Sequence, residues 1–598
     1  MKSKIYKTMC VACMATALTS CLDTIILPDS LTVDEDFWKS KSDVALMVNG
    51  AYAAMNTENV ITRMIVWGDF RSDVYVQSEV SLQNPNDIAN DLSEIALANM
   101  QVTNSFATWS GFYDVINRCN IVLEKAAEMY TKGVDPNYTE GDYLADRAQM
   151  LGLRSLCYFY LVRAFRDVPY SEEAFMNSSQ SRAFVQLPPT EVLRRCIESL
   201  QEAAPNALSS KSYTVDEWRR VGWFTQDAIY SLLADIYLWR ASVLHSDADY
   251  QQCINYCDLV IQSKKDQHIK SDFETTTSEY PLASTRNMYT NLFVKQNAEE
   301  SIFEIQSNGN SGLCKMIFKY KDNNSTAGYM DATGIFKAVA ANPNTKGMQV
   351  FPTNDIRFSA SLFTNEGVET YAVRKMVSQS DMFNTNTEKR TNRSSSGYNQ
   401  NWIVYRLTDV MLMKAEAMVQ LVDTAAIDST GLTTAQYNEA VQKRDSIANV
   451  RLREAFDIVA AVNTRACVDA QTLDWSKLRT TERSGRTGME LLVMEERLRE
   501  LCFEGKRWFD LLRYNYRHVN GVNYASILAD QGMGALVPNY SEMLTLMVRG
   551  RGSSGDGLKA KMTNEAYLYM PIPNSDAVLA TGLKQNPAYG SSTEFVRN

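Results

Sequence analysis

One stretch near the C-terminus, residues 490–514, constrains the fold more than any other. It reads ELLVMEERLRELCFEGKRWFDLLRY, and its apolar residues recur every three or four positions, as on one face of an amphipathic helix. Gly505 breaks this pattern, and glycine readily adopts the left-handed conformation that ends a helix. A second, shorter helix then begins and carries Trp508. The sequence therefore predicts a helix pair that folds back at Gly505 and buries Trp508 in a core.

The same stretch is rich in charges of both signs. Glu495 and Arg499 are four residues apart with the acid first, which is the favourable order for a helical ion pair. Each acid has an arginine within helical reach, an arrangement typical of a structural ion-pair network rather than of a catalytic site. We therefore interpret residues 490–514 as a structural brace. Its main predicted members are Glu496, Arg499, Glu504, Gly505, Arg507, Trp508 and Asp510.

Composition narrows the classes of function. The chain of 598 residues carries a net charge of −10, which argues against non-specific binding of nucleic acid. Its three histidines, His245, His268 and His518, lie far apart, and no Cys or His cluster has the spacing of metal ligands. We therefore expect no metal site, no histidine-based catalytic triad and no cofactor.

The eleven cysteines do not suggest a disulfide framework once they are placed along the predicted helices. Cys253 and Cys257 are four residues apart on one helix, a spacing that would strain a disulfide. Buried free thiols behave as small hydrophobic side chains, so we expect free cysteines in the core. The cysteines within apolar helical patterns are Cys119, Cys157, Cys196, Cys253, Cys257 and Cys502.

The N-terminus carries export signals. Three lysines precede a short apolar run, residues 9–18, which is too short to span a bilayer as a stable helix. Small residues then lead to Cys21, and this ending resembles a bacterial lipobox. The resemblance implies a lipoprotein signal peptide over residues 1–20, lipidation of Cys21 and a tether over residues 21–36. The alternative is an ordinary signal peptide followed by a chance cysteine.

Helical periodicity dominates residues 37–264, the predicted N-terminal helical region. Pro169 stops one of these helices, and Pro188-Pro189-Thr190 opens the next. Successive helices form pairs of the length found in tetratricopeptide units, whose repeat is about 34 residues. Residues 61–109 show no clean period and predict ordered loops. The predicted helices cover residues 43–56, 112–129, 143–165, 190–204, 225–242 and 250–262.

The pattern changes where the predicted C-terminal region, residues 265–598, begins. Residues 301–306 alternate apolar and polar side chains and predict a strand, within an irregular insert over about residues 265–401. Helical periodicity returns in residues 402–515. Helices are predicted there at 402–421, at 434–456 and in the brace. The sequence thus predicts a mainly α fold, with tetratricopeptide-like helix pairs packed against an irregular, loop-rich region with a few short strands.

Taken together, these features resemble the SusD/RagB family of outer-membrane nutrient-binding lipoproteins of Bacteroidota. The brace matches the family pattern E-R-x-R-E-x-x-F-E-G-x-R-W-F-D-L-x-R almost position by position. The tail adds Met570-Pro571-Ile572-Pro573 and Gln585-Asn586-Pro587. The matching stretches keep the family's order over nearly the whole chain: residues 18–21, 154–169, 405–418, 496–513 and 571–587.

The resemblance implies a place in the cell and a partner. It implies a protein that is lipid-anchored in the outer membrane, faces the cell exterior and covers a SusC-like TonB-dependent barrel as a lid. The usual ligands are oligosaccharides, with peptides for some members. The sequence departs from the family in one respect. Exported surface lipoproteins of this group often carry an acidic run directly after the lipidated cysteine, whereas here only Asp23 follows closely.

Binding a sugar needs a flat aromatic ring for its C–H face and polar side chains for its hydroxyls. In relatives these groups come from loops after the first helix and from the irregular region. The corresponding candidates here are Trp67, Arg71, Asp73, Tyr75, Asn308, Tyr320 and Tyr329. The alternative is core packing for Trp67 and Tyr75 and a local ion pair for Arg71 and Asp73.

These features favour a nutrient-binding protein without catalytic activity, which hands oligosaccharides or peptides to the barrel. One alternative is a lipid-anchored glycoside hydrolase with two catalytic carboxylates, although no acidic pair stands in a recognisable hydrolase motif. Another is a tetratricopeptide-type scaffold for protein partners. The sequence leaves the identity of the glycan, and the choice between glycan and peptide, open.

The lipid anchor gives a first prediction. We expect Cys21→Ala to release the protein from the membrane fraction, because each buried acyl methylene contributes about 0.8 kcal/mol to anchorage and the variant loses every chain. Immunoblots of membrane and soluble fractions after a high-salt wash measure the effect, with Cys467→Ala as the control that stays bound. Retention of Cys21→Ala in washed membranes would contradict the anchor.

Overall fold

Helices with a buried face make up most of the structure, a computed structural model of the chain. The longer helices of its N-terminal half are α1 (Lys41–Met55), α2 (Glu58–Ile65), α3 (Asp87–Ala96), α4 (Ser110–Thr131), α5 (Glu140–Phe165), α6 (Pro189–Ala203), α7 (Gln226–Leu244) and α8 (Asp247–Gln267). Those of the C-terminal half are α9 (Leu407–Gln420), α10 (Thr434–Ala466), α11 (Gly485–Leu501) and α12 (Arg507–His518). The structure describes residues 37–78, 86–176, 185–214, 217–267, 279–284, 288–307, 329–336, 350–351, 355–363, 372–373, 375, 400–467, 473–476, 485–518, 557–558, 561–562, 564–573 and 583–590.

Side chains at the helix starts explain where several helices begin. Thr139 and Asp142 form a capping box at the start of α5, and Thr433 and Gln436 form another at α10. α6 opens with Pro189, which suits the first turn because its missing N–H has no partner in the helix there. These starts follow from local sequence chemistry.

The helices pack in neighbouring pairs. α4 contacts α5, α5 contacts α6 and α7 contacts α8, while α9 contacts α8, α10 and α11. Close approach is built into α5, where a Cβ added to Gly152 would overlap the ring of Phe224, the residue shortly before α7. A single cluster of buried apolar side chains runs through both halves. The predicted mainly α fold with packed helix pairs is therefore confirmed.

Short strands accompany the helices. The strands in the described residues are β1 (Tyr75–Gln77), β2 (Val168–Pro169), β3 (Gln186–Leu187), β4 (Ser301–Ile305), β5 (Met330–Ala332), β6 (Leu362–Phe363), β7 (Ala372–Val373) and β8 (Trp402–Arg406). They form antiparallel pairs, namely β1 with β5, β2 with β3, β4 with β8 and β6 with β7. The fully buried β4–β8 pair places Ser301 opposite Arg406 and Ile305 opposite Trp402.

Three sequence predictions are corrected by these elements. The helix predicted over 402–421 begins only at Leu407, because Trp-Ile-Val-Tyr-Arg is rich in residues that favour strands and pairs with β4. The helix predicted over 434–456 continues to Ala466, since its later turns bury an apolar face. The stretch 61–109, predicted as loops, contains most of α2 and all of α3.

The expectation of free, buried cysteines is confirmed for the six residues named from the sequence. Those cysteines are buried and unbridged, and Cys467 is free and half-buried. Burial raises the pKa of the Cys119 thiol to about 12 and that of Cys502 to about 11. These thiols stay protonated and pack as small apolar groups. Cys21 lies outside the described residues.

Trp508 gives the prediction that tests this packing. Its side chain is 1 % exposed, and the Arg71 guanidinium lies 4.5 Å from the ring centroid. We expect Trp508→Ala to lower the free energy of unfolding by about 3–5 kcal/mol, because truncating a buried aromatic leaves a large cavity. Urea denaturation of the leaderless chain measures it, with the exposed Trp218→Ala as the matched control expected to change stability by less than about 0.5 kcal/mol. A loss below about 1 kcal/mol for Trp508→Ala would contradict this packing.

Candidate functional site

Gly505 takes the left-handed conformation that the sequence predicts, but the first helix of the brace ends four residues before it, and Phe503 is the first left-handed residue after that helix. α11 ends at Leu501 and α12 begins at Arg507. Between them Phe503 and Gly505 take positive φ angles of 67° and 72°. This turn lies against an earlier segment so closely that a Cβ added to Gly68 would overlap the carbonyl of Gly505. Gly68 and Gly505, which lie far apart in the sequence, therefore allow the turn of the brace to pack closely against the N-terminal half.

Glu500 lies at the centre of the brace and is surrounded by arginines from three distant segments. Its carboxylate accepts hydrogen bonds from Arg357 (2.9 Å), Arg406 (2.6 Å) and Arg465. All four side chains are buried. Burial raises the pKa of the Glu500 carboxyl, but the three guanidinium groups outweigh that effect and hold the pKa well below its ordinary value. The group is thus an ionised carboxylate inside the protein.

The neighbouring glutamates of the brace are paired in the same way. Glu496 accepts hydrogen bonds from Arg357 (2.7 Å) and from Arg499 (2.9 Å), which lies one helical turn away. Glu504 accepts both a 2.8 Å bond from Nε and a 2.8 Å bond from Nη2 of Arg406. The glutamates of the brace are therefore members of a buried ion-pair network, whose arginines come largely from other segments of the chain.

A second group of ion pairs fixes α12 against α9. Arg497 lies 3.0 Å from a carboxylate oxygen of Asp409 and 2.9 Å from one of Asp510. Arg513 contacts Glu416 (2.8 Å) and Asp510 (2.7 Å). Although burial raises the pKa of Asp409, the cations Lys506 and Arg497 outweigh that effect and bring the pKa to about 2.

Sequence reasoning missed the most important partners of the brace. It looked for arginines within the same helix, whereas Arg357 comes from the irregular insert, Arg406 from the end of β8 and Arg465 from the end of α10. A weak signal did exist, because Arg406 directly follows the apolar run Trp-Ile-Val-Tyr. A charged residue that ends a buried strand needs a buried counterion.

Asp69 fastens the turn of the brace to the N-terminal half. Its two carboxylate oxygens accept the backbone N–H groups of Gly505 (2.7 Å) and Arg507 (2.9 Å). Asp69 is fully buried, and burial raises its pKa to about 7 against the lowering effect of these two donors. Sequence reasoning did not single out this residue.

Two of the candidate ligand residues lie at this junction. Asp73 binds the guanidinium of Arg507 through bonds of 2.8 and 3.1 Å. Arg71 donates to the carbonyls of Tyr567 and Leu568, the latter at 2.7 Å. Both side chains are buried. Neither side chain is exposed to a ligand, and neither forms the local ion pair of the alternative interpretation, because Asp73 pairs with the distant Arg507 and Arg71 binds backbone carbonyls.

The other two candidates of this segment are core aromatics. Trp67 stacks on Phe112 with ring centroids 5.0 Å apart and donates its indole N–H to the carbonyl of Phe106. Tyr75 packs against Phe503 of the brace at 5.1 Å. Trp67 is 1 % exposed and Tyr75 is fully buried. In this structure Trp67 and Tyr75 are therefore part of the core and do not line a binding surface.

Tyr329 is the candidate that reaches a surface. β1 and β5 pair so that Tyr75 lies opposite Ala332. One step further along, the backbone N–H of Ser78 donates to the carbonyl of Tyr329 (3.0 Å). The hydroxyl of Tyr329 accepts a 3.0 Å hydrogen bond from the side-chain amide of Asn86, which is exposed. We call residues 76–78, 86 and 329–331 the β1–β5 edge.

The remaining candidates, Asn308 and Tyr320, lie outside the described residues. Within the described ranges, no group of three or more His, Cys, Asp or Glu side chains is placed to hold a metal ion. Among the helices of that same part of the chain, none is both long and apolar enough to cross a bilayer.

Two family models match complementary parts of the chain. A model described as the SusD family matches residues 315–589, and one described as "Starch-binding associating with outer membrane" matches residues 27–238. Two curated relatives from Formosa agariphila are similar over most of their length. SusD-like protein P38 is 23 % identical over 83 % of this chain and 89 % of its own, and SusD-like protein P2 is 24 % identical over 85 % and 90 %.

Solved structures share the fold. A SusD superfamily protein from Bacteroides thetaiotaomicron is 18 % identical with a TM-score of 0.59, covering 92 % of this chain and 99 % of that one. A laminarin-binding SusD-like protein is 18 % identical with a TM-score of 0.57, covering 92 % and 100 %. NanU of B. fragilis is 17 % identical with a TM-score of 0.58, covering 95 % and 100 %.

The paired carboxylates predict how stability depends on pH. The pKa values of Glu496, Glu500, Glu504 and Asp409 are lowered in the folded protein. Their contribution is therefore complete above the unfolded values of 4.5 for Glu and 3.8 for Asp and is lost as pH falls towards 2. We expect the free energy of unfolding in urea to fall steeply in this window.

The raised pKa of Asp69 acts in the opposite sense, since its contribution is lost as pH rises from about 4 to about 7. Below about pH 4, changes in the free energy of unfolding therefore reflect the paired carboxylates of the brace and not Asp69. A free energy of unfolding that stays constant between about pH 4.5 and 2.5 would contradict buried, ionised carboxylates in the brace.

Proposed function

Because the chain belongs to the SusD/RagB family, we propose that it is a cell-surface nutrient-binding lipoprotein. It captures oligosaccharides and delivers them to a SusC-like TonB-dependent barrel in the outer membrane. The matched family description and the laminarin-binding neighbour name binding proteins, which supports the expectation that the chain is not an enzyme. The glutamates of the brace are also unsuitable as the two catalytic carboxylates of a hydrolase, because they are buried in ion pairs.

The observation that carries the proposal is the pairing of β1 with β5. It brings the segment after the first helices and the segment from the irregular insert side by side. These are the two segments that the resemblance predicts to supply ligand contacts. The half-buried ring of Tyr329 is held by Asn86, whose amide nitrogen donates to the Tyr329 hydroxyl while its oxygen caps α3, so an aromatic ring is presented in a fixed position.

We assign roles to the predicted residues accordingly. Tyr329 contacts the sugar, with Asn308 and Tyr320 as further predicted contacts from the same insert. Arg71, Asp73 and Tyr75 hold the start of β1 against Trp508, Arg507 and Phe503 of the brace, and Trp67 packs in the core beside them, so the edge is pre-formed. A pre-formed site loses less conformational entropy when a ligand binds.

The proposal includes the cellular location of the protein. The family model that matches residues 27–238 is described as associating with the outer membrane. Lipidation at Cys21, exposure on the cell surface and assembly with the barrel are parts of the proposal that follow from the lipobox-like ending and from family membership. A laminarin-binding relative with the same fold supports a glycan as the ligand.

A carbohydrate array screened with the leaderless chain tests this function. We expect saturable binding of at least one oligosaccharide, with no new reducing ends after long incubation. Tyr329→Ala should weaken that binding about threefold to tenfold, because an aromatic contact contributes about 0.5–1.5 kcal/mol. Tyr437→Ala, an exposed tyrosine on α10, is the matched control and should bind as the wild type does.

Several outcomes would contradict the proposal. Release of reducing sugar would favour the hydrolase, and an array without any bound glycan would remove the oligosaccharide-capture role. Binding of a peptide library with no glycan binding would identify a peptide ligand instead. Equal affinities for Tyr329→Ala and Tyr437→Ala would show that the β1–β5 edge is not where the sugar lies.

A further inference from the structure

A second aromatic surface lies away from the elements of the β1–β5 edge, in the connection between α6 and α7. We call Tyr213, Trp218, Arg219 and Trp223 the 213–223 patch. Trp218 is 44 % exposed and is the one tryptophan among the exposed large apolar side chains of the described residues. Its ring meets Trp223 edge to face at 5.9 Å, and Trp223 meets Tyr213 in the same way at 6.2 Å. Aromatic faces and edges are thus presented together at a surface.

The patch is held rigidly from below. Arg220 is buried and donates to the carbonyls of Asn297 (2.9 Å) and Ala298 (3.0 Å), which lie just before β4. A Cβ added to Gly222 would lie 2.7 Å from both the Cγ of Gln306 and the ring of Trp218. The aromatic rings are therefore seated on the end of β4 and need little ordering when they meet a ligand.

The charges around the rings cancel. The Arg219 guanidinium lies 5.4 Å from the Trp223 centroid and 5.6 Å from that of Tyr213, and it forms an ion pair with Glu217. An arginine already paired with a carboxylate is a poor site for a sulfate, phosphate or uronate. The patch therefore favours an uncharged ligand over an anionic one.

One amide side chain lies next to the patch. Gln306 is half-buried beside Gly222, and its amide nitrogen donates to Asn297 (2.9 Å) while its oxygen accepts from Asn401 (3.2 Å). Both ends of this amide are paired inside the protein, so the sugar contact comes from the aromatic rings, whose flat faces suit the C–H face of a pyranose. The pattern resembles the requirements of a sugar site more than those of a protein interface.

The size of the patch separates it from a protein-docking surface. A stable protein interface buries about 800 Å² on each partner around an apolar centre. Here the neighbouring exposed residues are polar, namely Lys211, Ser212 and Thr214. A patch of one exposed and two half-buried rings matches the footprint of one or two sugar rings.

We propose that the 213–223 patch is a second glycan-contact surface, which binds a neutral sugar ring through Trp218. This assignment rests on the proposed function, because the proposed function supplies the class of ligand, a glycan. A second contact lets one polysaccharide chain touch the protein at two places, so that the second contact forms at high effective concentration.

Titration of neutral glycans against Trp218→Ala tests the assignment. The probes are soluble starch, laminarin, xylan and mannan, and affinity is measured by calorimetry for whichever of them the wild-type chain binds. We expect Trp218→Ala to weaken binding about threefold to tenfold and Trp218→Phe, which keeps a ring, to restore most of it. Tyr437→Ala is the control, and wild-type affinity should change little between 0.05 and 0.5 M NaCl because no charge is recognised.

The outcomes separate this inference from the proposed function. If the wild type binds none of the array glycans, the proposed function fails and the inference fails with it. If the wild type binds a neutral glycan and Trp218→Ala binds it equally well, the inference alone is overturned. If Trp218→Ala keeps its glycan affinity but recovers less barrel protein from solubilised membranes, the patch is a protein interface and the inference is likewise overturned.

Discussion

The carboxylate of Glu500 meets guanidinium groups from the irregular insert, from the end of β8 and from the end of α10. All of these ions are removed from water, which costs several kcal/mol for each unless counterions and hydrogen bonds replace the lost hydration. Glu496 and Glu504 bind two of the same arginines. Removal of any ion of the cluster would therefore leave another buried ion without its counterion. We infer that this mutual dependence holds the insert, the β4–β8 pair and the C-terminal helices in one arrangement.

The brace also determines where the surfaces of the molecule lie. Its turn is fixed by Asp69 and by the contact of Gly68 with Gly505, and β1 begins shortly after these residues. The position of β1 then sets that of β5 and of Tyr329. The 213–223 patch is fixed separately, through Arg220 and the residues before β4. Both proposed sugar contacts are therefore surfaces supported by buried polar bonds.

Helical periodicity was enough to predict most of the helix pairs, because α4, α5 and α7 carry apolar residues at helical spacing that the structure buries. The same reasoning failed at Trp402–Arg406, where strand formation depends on pairing with a segment about a hundred residues earlier. It also placed Trp67 and Asp73 among the ligand candidates, although their partners Phe112 and Arg507 bury them. Long-range pairing decides whether an aromatic or charged residue is exposed, and one sequence contains little information about it.

The most direct test of this account is the stability of Glu500→Gln, measured by urea denaturation at neutral pH. The substitution keeps the shape of the side chain and removes the charge that three buried arginines share. We expect a loss of about 3–5 kcal/mol, as for other broken buried ion pairs. Glu198→Gln removes a surface pair with Arg194 and should cost less than about 1 kcal/mol. If Glu500→Gln is no more destabilising than Glu198→Gln, the network does not hold the fold together and the account is wrong.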